Sequence, residues 1–423
     1  MNSFTEKITL LFADKMLRNR LLFVLGALAV FRTLAAIPIP GINAAQLQLF
    51  FNNNQFFGLL NLFSGGGLSN LSIVLLGVGP YITASIILQL LTMMIPRLKQ
   101  LYQEEGELGR KRFSQYTRLL TLPVAFLQGI SFLLILEREG VLPNLSLFQF
   151  GVNLLVIVAG SLLLMWIGEL ISEFGLGNGV SVIIFAGIVA GLPQQASQAI
   201  FSFSSAQIPL YLGFLIAAIA IVAAVVVVTE AERPVPVTYA KRIRGMKMYG
   251  GQSTYLPLRL NQAGVIPIIF ALSLLLIPQM VATFFSTSPH AWLASASTFV
   301  LHGLQNLGVY GTIYFILVFL FTYFYTAVTF DPHQIAENLQ KNGAFIPGVR
   351  PGGSTTEYLG KVITRITFVG ALFLGVVAVL PIIMQSITGI TTLTLGGTAL
   401  LIVVSVILDL ARRIDAQISI REY

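Results

Sequence analysis

Between Thr33 and Pro96 the chain carries no charged residue, yet its apolar positions do not read as two simple membrane helices. Polar Asn52-Asn53-Asn54 and the cluster Ser64-Gly65-Gly66-Gly67 interrupt them. Gly79-Pro80 then separates a short apolar piece, Leu68 to Val78, from the run Tyr81 to Ile95. A helix needs about 20 apolar residues to cross hydrocarbon, so the shorter piece cannot span. Irregular backbone at membrane depth persists only where protein surrounds it or where it lines a watery cavity. The pattern predicts an aqueous interior with a movable segment in it.

Across the whole chain the apolar runs predict ten spans, near 21–37, 73–95, 118–136, 152–171, 180–192, 209–229, 260–285, 308–328, 364–386 and 394–411. The second is broken and the fifth is short. The predicted class is an all-α, polytopic membrane protein. Composition agrees: 423 residues are 56% hydrophobic and 10% charged, with mean hydropathy +0.84. Soluble domains carry about 25% charged residues. There is no Cys, which excludes disulfides and thiolate metal sites. Residues 1–20 do not read as a cleavable signal, because charges interrupt them and no small-residue cleavage site follows. They suit an amphipathic segment on the membrane surface.

Charge orients the spans. All but two of the 25 Lys and Arg residues fall on one face of the ten-span map. The exceptions are Arg138, on the other face, and Arg32, near the end of the first span. By the positive-inside rule the basic face is cytoplasmic, with both termini there. The long cytoplasmic loops are then 230–257 and 329–363, followed by a tail at 412–423. The first mixes Pro, Tyr and basic residues; the second has a helix-like piece, Pro332 to Lys341, before the turn-rich Pro347 to Gly353. The external side is mostly uncharged. Residues 21–192 and 209–411 would be two halves of five spans with opposite topology, which permits the inverted repeat of such channels and transporters.

Motifs spread from the first span to the last give the chain a closer likeness. They include Ile37-Pro38-Ile39-Pro40-Gly41, Leu62-Phe63-Ser64-Gly65-Gly66, Gly79-Pro80-Tyr81-Ile82-Thr83-Ala84-Ser85-Ile86-Ile87 and Ser114-Gln115-Tyr116-Thr117-Arg118. Further along come Gly177-Asn178-Gly179 leading to Ile184-Phe185-Ala186-Gly187-Ile188, then Tyr239-Ala240-Lys241-Arg242, and Gly343-Ala344-Phe345-Ile346-Pro347-Gly348-Val349-Arg350-Pro351-Gly352. Ala263-Gly264-Val265-Ile266-Pro267 and Gly396-Gly397-Thr398-Ala399 complete the set. In this order and spacing the chain resembles the SecY family, the pore-forming subunits of protein translocases.

The resemblance implies a channel for unfolded preproteins, with no catalytic residue, cofactor or metal of its own. Ile82 and Ile86 are four residues apart, as are Ile184 and Ile188, so each pair shares a helix face. The family's pore ring falls on these four and on Ile269 and Ile402. An apolar collar binds no passing side chain strongly and can close by dewetting. The family's plug, a short helix, falls on Leu60 to Val78. Gly65, Gly66 and Gly67, after Leu60 and Ser64, would supply its hinge; Leu68, Leu71, Ile73 and Val74 would touch the collar. A lateral gate is expected between spans 2–3 and 7–8, with Gln89, Thr92, Gln128 and Ser273 as polar groups bonding weakly across the seam. Such a seam suits a signal sequence, apolar over about 7–15 residues.

Arg242, Arg244, Lys247 and Arg350 would meet the SecA motor or the ribosome, where basic loops suit ribosomal RNA phosphates. SecE and SecG are the implied channel subunits. One departure stands out: after Lys241-Arg242, Met246-Lys247 occupies a place where relatives have adjacent arginines. Lys lacks their bidentate fork.

A small-solute transporter is the competing class. Such proteins place ionisable residues at mid-membrane, whereas Glu169, Glu173 and Asp409 lie near span ends here. An intramembrane enzyme finds no motif: HExxH, GxSxG and a phosphate loop are all missing. Gly175-x-Gly177-x-Gly179 is too short for nucleotide binding and reads instead as a loop that lets spans pack.

Overall fold

A computed structural model describes residues 14–40, 66–68, 71–103, 105–138, 140–143, 145–201, 208–239, 242–244, 247–249, 253–286, 290–388 and 391–419. Most of the N-terminal segment and three of the plug residues, Leu60, Ser64 and Gly65, lie outside them.

All ten predicted spans fall on helices: α1 (Lys15–Ala36), α2 (Gly79–Met94), α4 (Gly106–Arg138), α5 (Leu147–Phe174), α6 (Gly179–Phe201), α7 (Ile208–Glu230), α8 (Ile266–Phe285), α10 (Leu307–Thr329), α12 (Gly353–Thr388) and α13 (Thr391–Ser419). Among the described residues three shorter helices join them: α3 (Pro96–Gln103), α9 (Ala291–Gln305) and α11 (Pro332–Lys341). Among the described residues five helices are long and apolar enough to cross a bilayer alone, and α2 with α3 makes a sixth, bent by 115°.

Local chemistry sets the boundaries. The second span begins at Gly79 rather than at 73, with Pro80 in its first turn, and residues 73–78 are successive turns. It stops at Ile95, held extended at φ −112° and ψ 105° by the following Pro96. Its 16 residues reach about 24 Å at about 1.5 Å each, short of a bilayer. The seventh span begins at Ile266 rather than at 260, because Gly264 takes φ +62° and Pro267 opens the helix. The fifth is longer than predicted, continuing through Pro193 to Phe201.

The glycine loop between α5 and α6 packs as its sequence suggests. Gly175 ends α5, Gly177 takes φ +86°, and Asn178 Oδ1 accepts from the backbone N–H groups of Val180 and Ser181 to start α6. At Gly179 a Cβ would fall against the Gly168 carbonyl of α5, so a larger residue would drive the helices apart.

Helices α1 to α6 pack on one another, as do α7 to α13. The two groups meet through α8 against α2 and α4, and through α13 against α6. Ion pairs link neighbouring helices. Arg118 of α4 donates to Glu169 of α5 at 2.7 Å, and Arg412 of α13 donates to Glu230 at 2.8 Å and to the Thr229 carbonyl of α7 at 2.6 Å.

Strands form where the sequence suggested only loops. β1 (Glu232–Tyr239) pairs antiparallel with β4 (Ser253–Arg259), and β5 (Ala344–Phe345) adds to the far end of β1 at Thr238 and Tyr239. β2 (Arg242–Arg244) and β3 (Lys247–Tyr249) make a small hairpin between β1 and β4. Val235, Val237 and Leu258 are buried against Leu359, Val362 and Ile366 of α12. The sheet therefore joins the two long loops and anchors both to one helix.

Candidate functional site

The six isoleucines assigned to the pore ring are all buried, none more than 6% exposed, and all belong to one apolar cluster. Ile82 and Ile86 come from α2, Ile184 and Ile188 from α6, Ile269 from α8 and Ile402 from α13. These are spans 2, 5, 7 and 10, so the contributing spans occupy equivalent places in each five-span half. Four helices thus contribute isoleucines to a single buried apolar cluster.

The turn segment before α2 lies against this cluster. Val74 and Val78 are buried in it, and Ile73 packs on it. Leu68 and Leu71 do not, contrary to the sequence expectation. They sit with Leu75, Leu76, Leu133 and Leu136 in a second cluster, built largely from α4, α5 and the turn that joins them. Nor is 71–78 helical in the described residues. Its backbone is committed elsewhere: Ile39 N–H donates to the Leu71 carbonyl at 2.9 Å, and Ile73 N–H to the Ile37 carbonyl at 3.0 Å. Pro38 and Ser72 form the resulting bridge. The extended Ile37-Pro38-Ile39 thus competes for the bonds a helix would use. Leu71, at φ +40°, turns the chain through a conformation that a branched side chain seldom adopts.

Helix α5 seats the same segment from below. A Cβ on Gly160 would overlap the Ile73 carbonyl, and Ser161 Oγ donates to the Gly77 carbonyl at 2.9 Å. Gly66 lies close to both α1 and α6: from its Cβ direction Arg32 Nη1 is 3.5 Å away and the Gly187 carbonyl 4.0 Å. Gly187 stands between the ring positions Ile184 and Ile188. Gly160 and Ser161 escaped the sequence reading, because a small residue within an apolar run signals close packing without naming its partner.

The polar residues assigned to the lateral gate behave differently from expectation. Gln89 Nε2 donates to Ser85 Oγ at 3.1 Å, and Thr92 Oγ1 to the Gln89 carbonyl at 2.6 Å, both within α2. Gln128 Nε2 of α4 donates to Thr83 Oγ1 of α2 at 3.3 Å. These bonds stay within the first helix group instead of crossing to α8, because backbone carbonyls and nearby hydroxyls on the same helices lie within easier reach. Ser273 is buried in α8, the helix that faces α2 and α4. The Gln89 Oε1 atom is buried with no hydrogen-bond partner.

Of the basic loop residues, Arg242 and Arg244 lie in β2 and Lys247 in β3, with Arg244 opposite Lys247 at the end of the hairpin. Arg350 is exposed in the turn after β5. Gly348 (φ +80°) and Gly352 (φ +96°) frame it, and its carbonyl accepts from Thr355 Oγ1 at 2.9 Å. Nearby, Glu337 and Glu357 accept from Lys341 and Lys361 at 2.8 and 2.7 Å. Those hydrogen bonds, aided by the ammonium charges, hold both carboxyls below their ordinary 4.5. Both carboxylates are therefore ionised at neutral pH, and the attraction, weak between exposed groups, is lost as pH falls through the lowered values.

Comparison with known proteins gives a consistent result. The SecY family model matches residues 72–411. The protein translocase subunit SecY of Mycobacterium tuberculosis (strain ATCC 25618 / H37Rv) is 42% identical over 428 residues, covering 96% of each chain. A solved SecY whose plug domain stabilises the closed state of the translocation channel and maintains a membrane seal matches 93% of this chain and 91% of its own, with TM-score 0.62 and 20% identity. Canine Sec61, solved in a ribosome–channel complex from the endoplasmic reticulum, covers the same shares with TM-score 0.61 and 17% identity.

Proposed function

This chain belongs to the SecY family, and from that premise we infer that it is the protein-conducting subunit of a Sec translocase. It passes unfolded preproteins through the membrane and releases apolar segments sideways into lipid. It is a channel subunit and not an enzyme. The observation that carries this reading is the gathering of six isoleucines from four helices into one buried cluster, with the turn segment 73–78 laid against it. A small-solute transporter has no comparable support.

The mechanism follows from the chemistry of that cluster. An apolar constriction excludes ions because a narrow, unsolvated path offers them no replacement for water. A translocating chain displaces the turn segment and holds the isoleucines apart. Among the described residues the segment is tied by backbone hydrogen bonds with Ile37 and Ile39 and by one from Ser161, and its buried Val74, Leu75 and Val78 add apolar contact that the passing chain must replace. Each hydrogen bond contributes about 0.5–1.5 kcal/mol net.

Sideways release takes place where α8 meets α2 and α4. Among the described residues the hydrogen bonds of Gln89, Thr92 and Gln128 stay within the first helix group, so they leave that junction to apolar packing. A photoreactive or cysteine cross-linker at Gln89 or Thr92 is expected to capture a signal-sequence helix in a stalled translocation complex. Absence of capture at both sites, with capture at lipid-facing Leu127 (68% exposed) instead, would remove these residues from the gate.

We place the sheet-bearing end in the cytoplasm, both termini with it, in a bacterial plasma membrane. SecE and SecG complete the channel, and SecA or a ribosome drives it. The ribosome-bound canine Sec61 supports the last point by likeness of fold. Arg350, held outward by its glycine-framed turn, is the proposed docking contact. Arg350→Glu is expected to reduce SecA-dependent transport about tenfold or more, since reversing a docking charge costs upwards of about 1.4 kcal/mol. Unchanged transport rates would remove Arg350 from the contact. The function as a whole is tested by reconstitution with SecE and SecA. A signal-bearing preprotein should become protease-protected inside vesicles, and a preprotein without its signal should not.

A further inference from the structure

Helix α9, in the connection between α8 and α10, lies in no predicted span, and the channel mechanism gives it no task. Its side chains sort into three faces. Leu293, Ser297, Leu301 and Leu304 are buried or half-buried where the helix packs on α8 and α10. Ser295, Thr298, His302 and Gln305 form an exposed polar face. Between these two lies a third, with Trp292 at 71% exposure, Ala296, Phe299 at 81%, and Val300. At 3.6 residues per turn each set occupies about a third of the circumference. A helix bounded only by protein and water needs two faces. Three faces imply three surroundings.

Several observations identify the third surrounding as lipid. Helix α10, which begins at Leu307, carries a stripe of exposed Val309, Ile313, Ile316 and Leu320 at the spacing of one helix face. Lipid-facing surface therefore starts directly beyond α9. On the other side, the end of α8 exposes Phe284 and Phe285, edge to face with centroids 5.2 Å apart. Aromatic side chains flanked by polar ones are the usual occupants of the membrane–water boundary. No Asp, Glu, Lys or Arg occurs from Leu260 through Phe330, so the face offers no charge to a protein or nucleic-acid partner.

We propose that α9 lies in the plane of the outer membrane interface, with Trp292 and Phe299 embedded at the acyl boundary. It would tie α8 and α10, on one side of the proposed lateral seam, to the lipid surface. The choice of leaflet rests on the topology proposed above; the lipid contact itself does not.

The chain has no cysteine, so single cysteines can report each face in turn. Trp292→Cys, Phe299→Cys, Thr298→Cys and His302→Cys would each carry a nitroxide, in the full complex with cysteine-free partners, reconstituted in phospholipid vesicles. Collision rates with oxygen and with a water-soluble nickel chelate are then compared. Positions 292 and 299 are expected to favour oxygen severalfold over 298 and 302, which should favour nickel. Equal nickel access at all four would place the third face in water. Shielding of 292 and 299 from both probes would mean that protein covers it. Either result overturns the proposal. A membrane-impermeant maleimide should reach Thr298→Cys from outside cells; reaction only from the cytoplasmic side overturns the outer-leaflet assignment and its topology, while the collision data still decide lipid contact.

Discussion

Replacing Ile402 with asparagine is expected to raise the resting ion conductance of the channel about 5- to 150-fold. Ile402 is 1% exposed, inside the cluster with the other five ring isoleucines. An amide at that site finds no hydrogen-bond partner while the cluster is closed, which costs about 1–3 kcal/mol. In an open, wetted channel the same amide is solvated and the penalty disappears. The cost therefore falls on the closed state, and each 1.4 kcal/mol multiplies the open fraction about tenfold. Ile402→Val, which removes one methylene, should change conductance far less. Ile407 supplies the control, since it lies on the same helix but is 48% exposed. Single-channel recording in planar bilayers separates the cases. Equal conductance for Ile402→Asn and Ile407→Asn would remove Ile402 from the seal.

Gly160→Val is the second change with a large expected effect. A Cβ at Gly160 would overlap the Ile73 carbonyl and lie 2.8 Å from the Ile73 carbonyl carbon. Both contacts are with backbone, which cannot rotate away. Either α5 shifts or the 73–77 turn is displaced. Displacement breaks the Ser161 to Gly77 bond and withdraws Val74 from the isoleucine cluster. Overpacking of this kind costs about 1–3 kcal/mol. The expected outcome is a leaky channel with a lowered thermal midpoint. Gly151, on the same helix, has open space around its Cβ direction, so Gly151→Val should leave both properties near wild type. If the two variants behaved alike, Gly160 would have no role in seating the turn.

Much of this architecture is legible in the sequence. The helices under the ten apolar stretches, the break before Gly79 and the glycine loop at 175–179 follow from apolar runs and from residues with special backbone demands. The assignment of six isoleucines to a ring needed the family resemblance, because isoleucine is common in any span and helix period alone does not separate a lining from a packing face. The sheet was hidden by Pro234 and Pro236, which argue against a central strand. In the structure β5 pairs only with Thr238 and Tyr239, so at both prolines β1 is paired on one side alone. A proline there costs no ladder bond where its nitrogen faces the open side of the strand. Helix α9 was hidden because its apolar residues are divided between two faces and form no continuous run.

By itself the sequence determined which segments are apolar helices, which of their connections are basic, and that the second apolar stretch is interrupted. These are consequences of local composition: the transfer energy of a segment is summed over its own residues. Only the tertiary structure decided which apolar side chains face one another. It set Ile73 over Gly160, divided Leu71 from Val74 between two clusters, and kept the hydrogen bonds of Gln89, Thr92 and Gln128 within the first helix group. Helices apolar on all sides give no periodic signal for their partners. Close packing between segments far apart in the chain supplies that information.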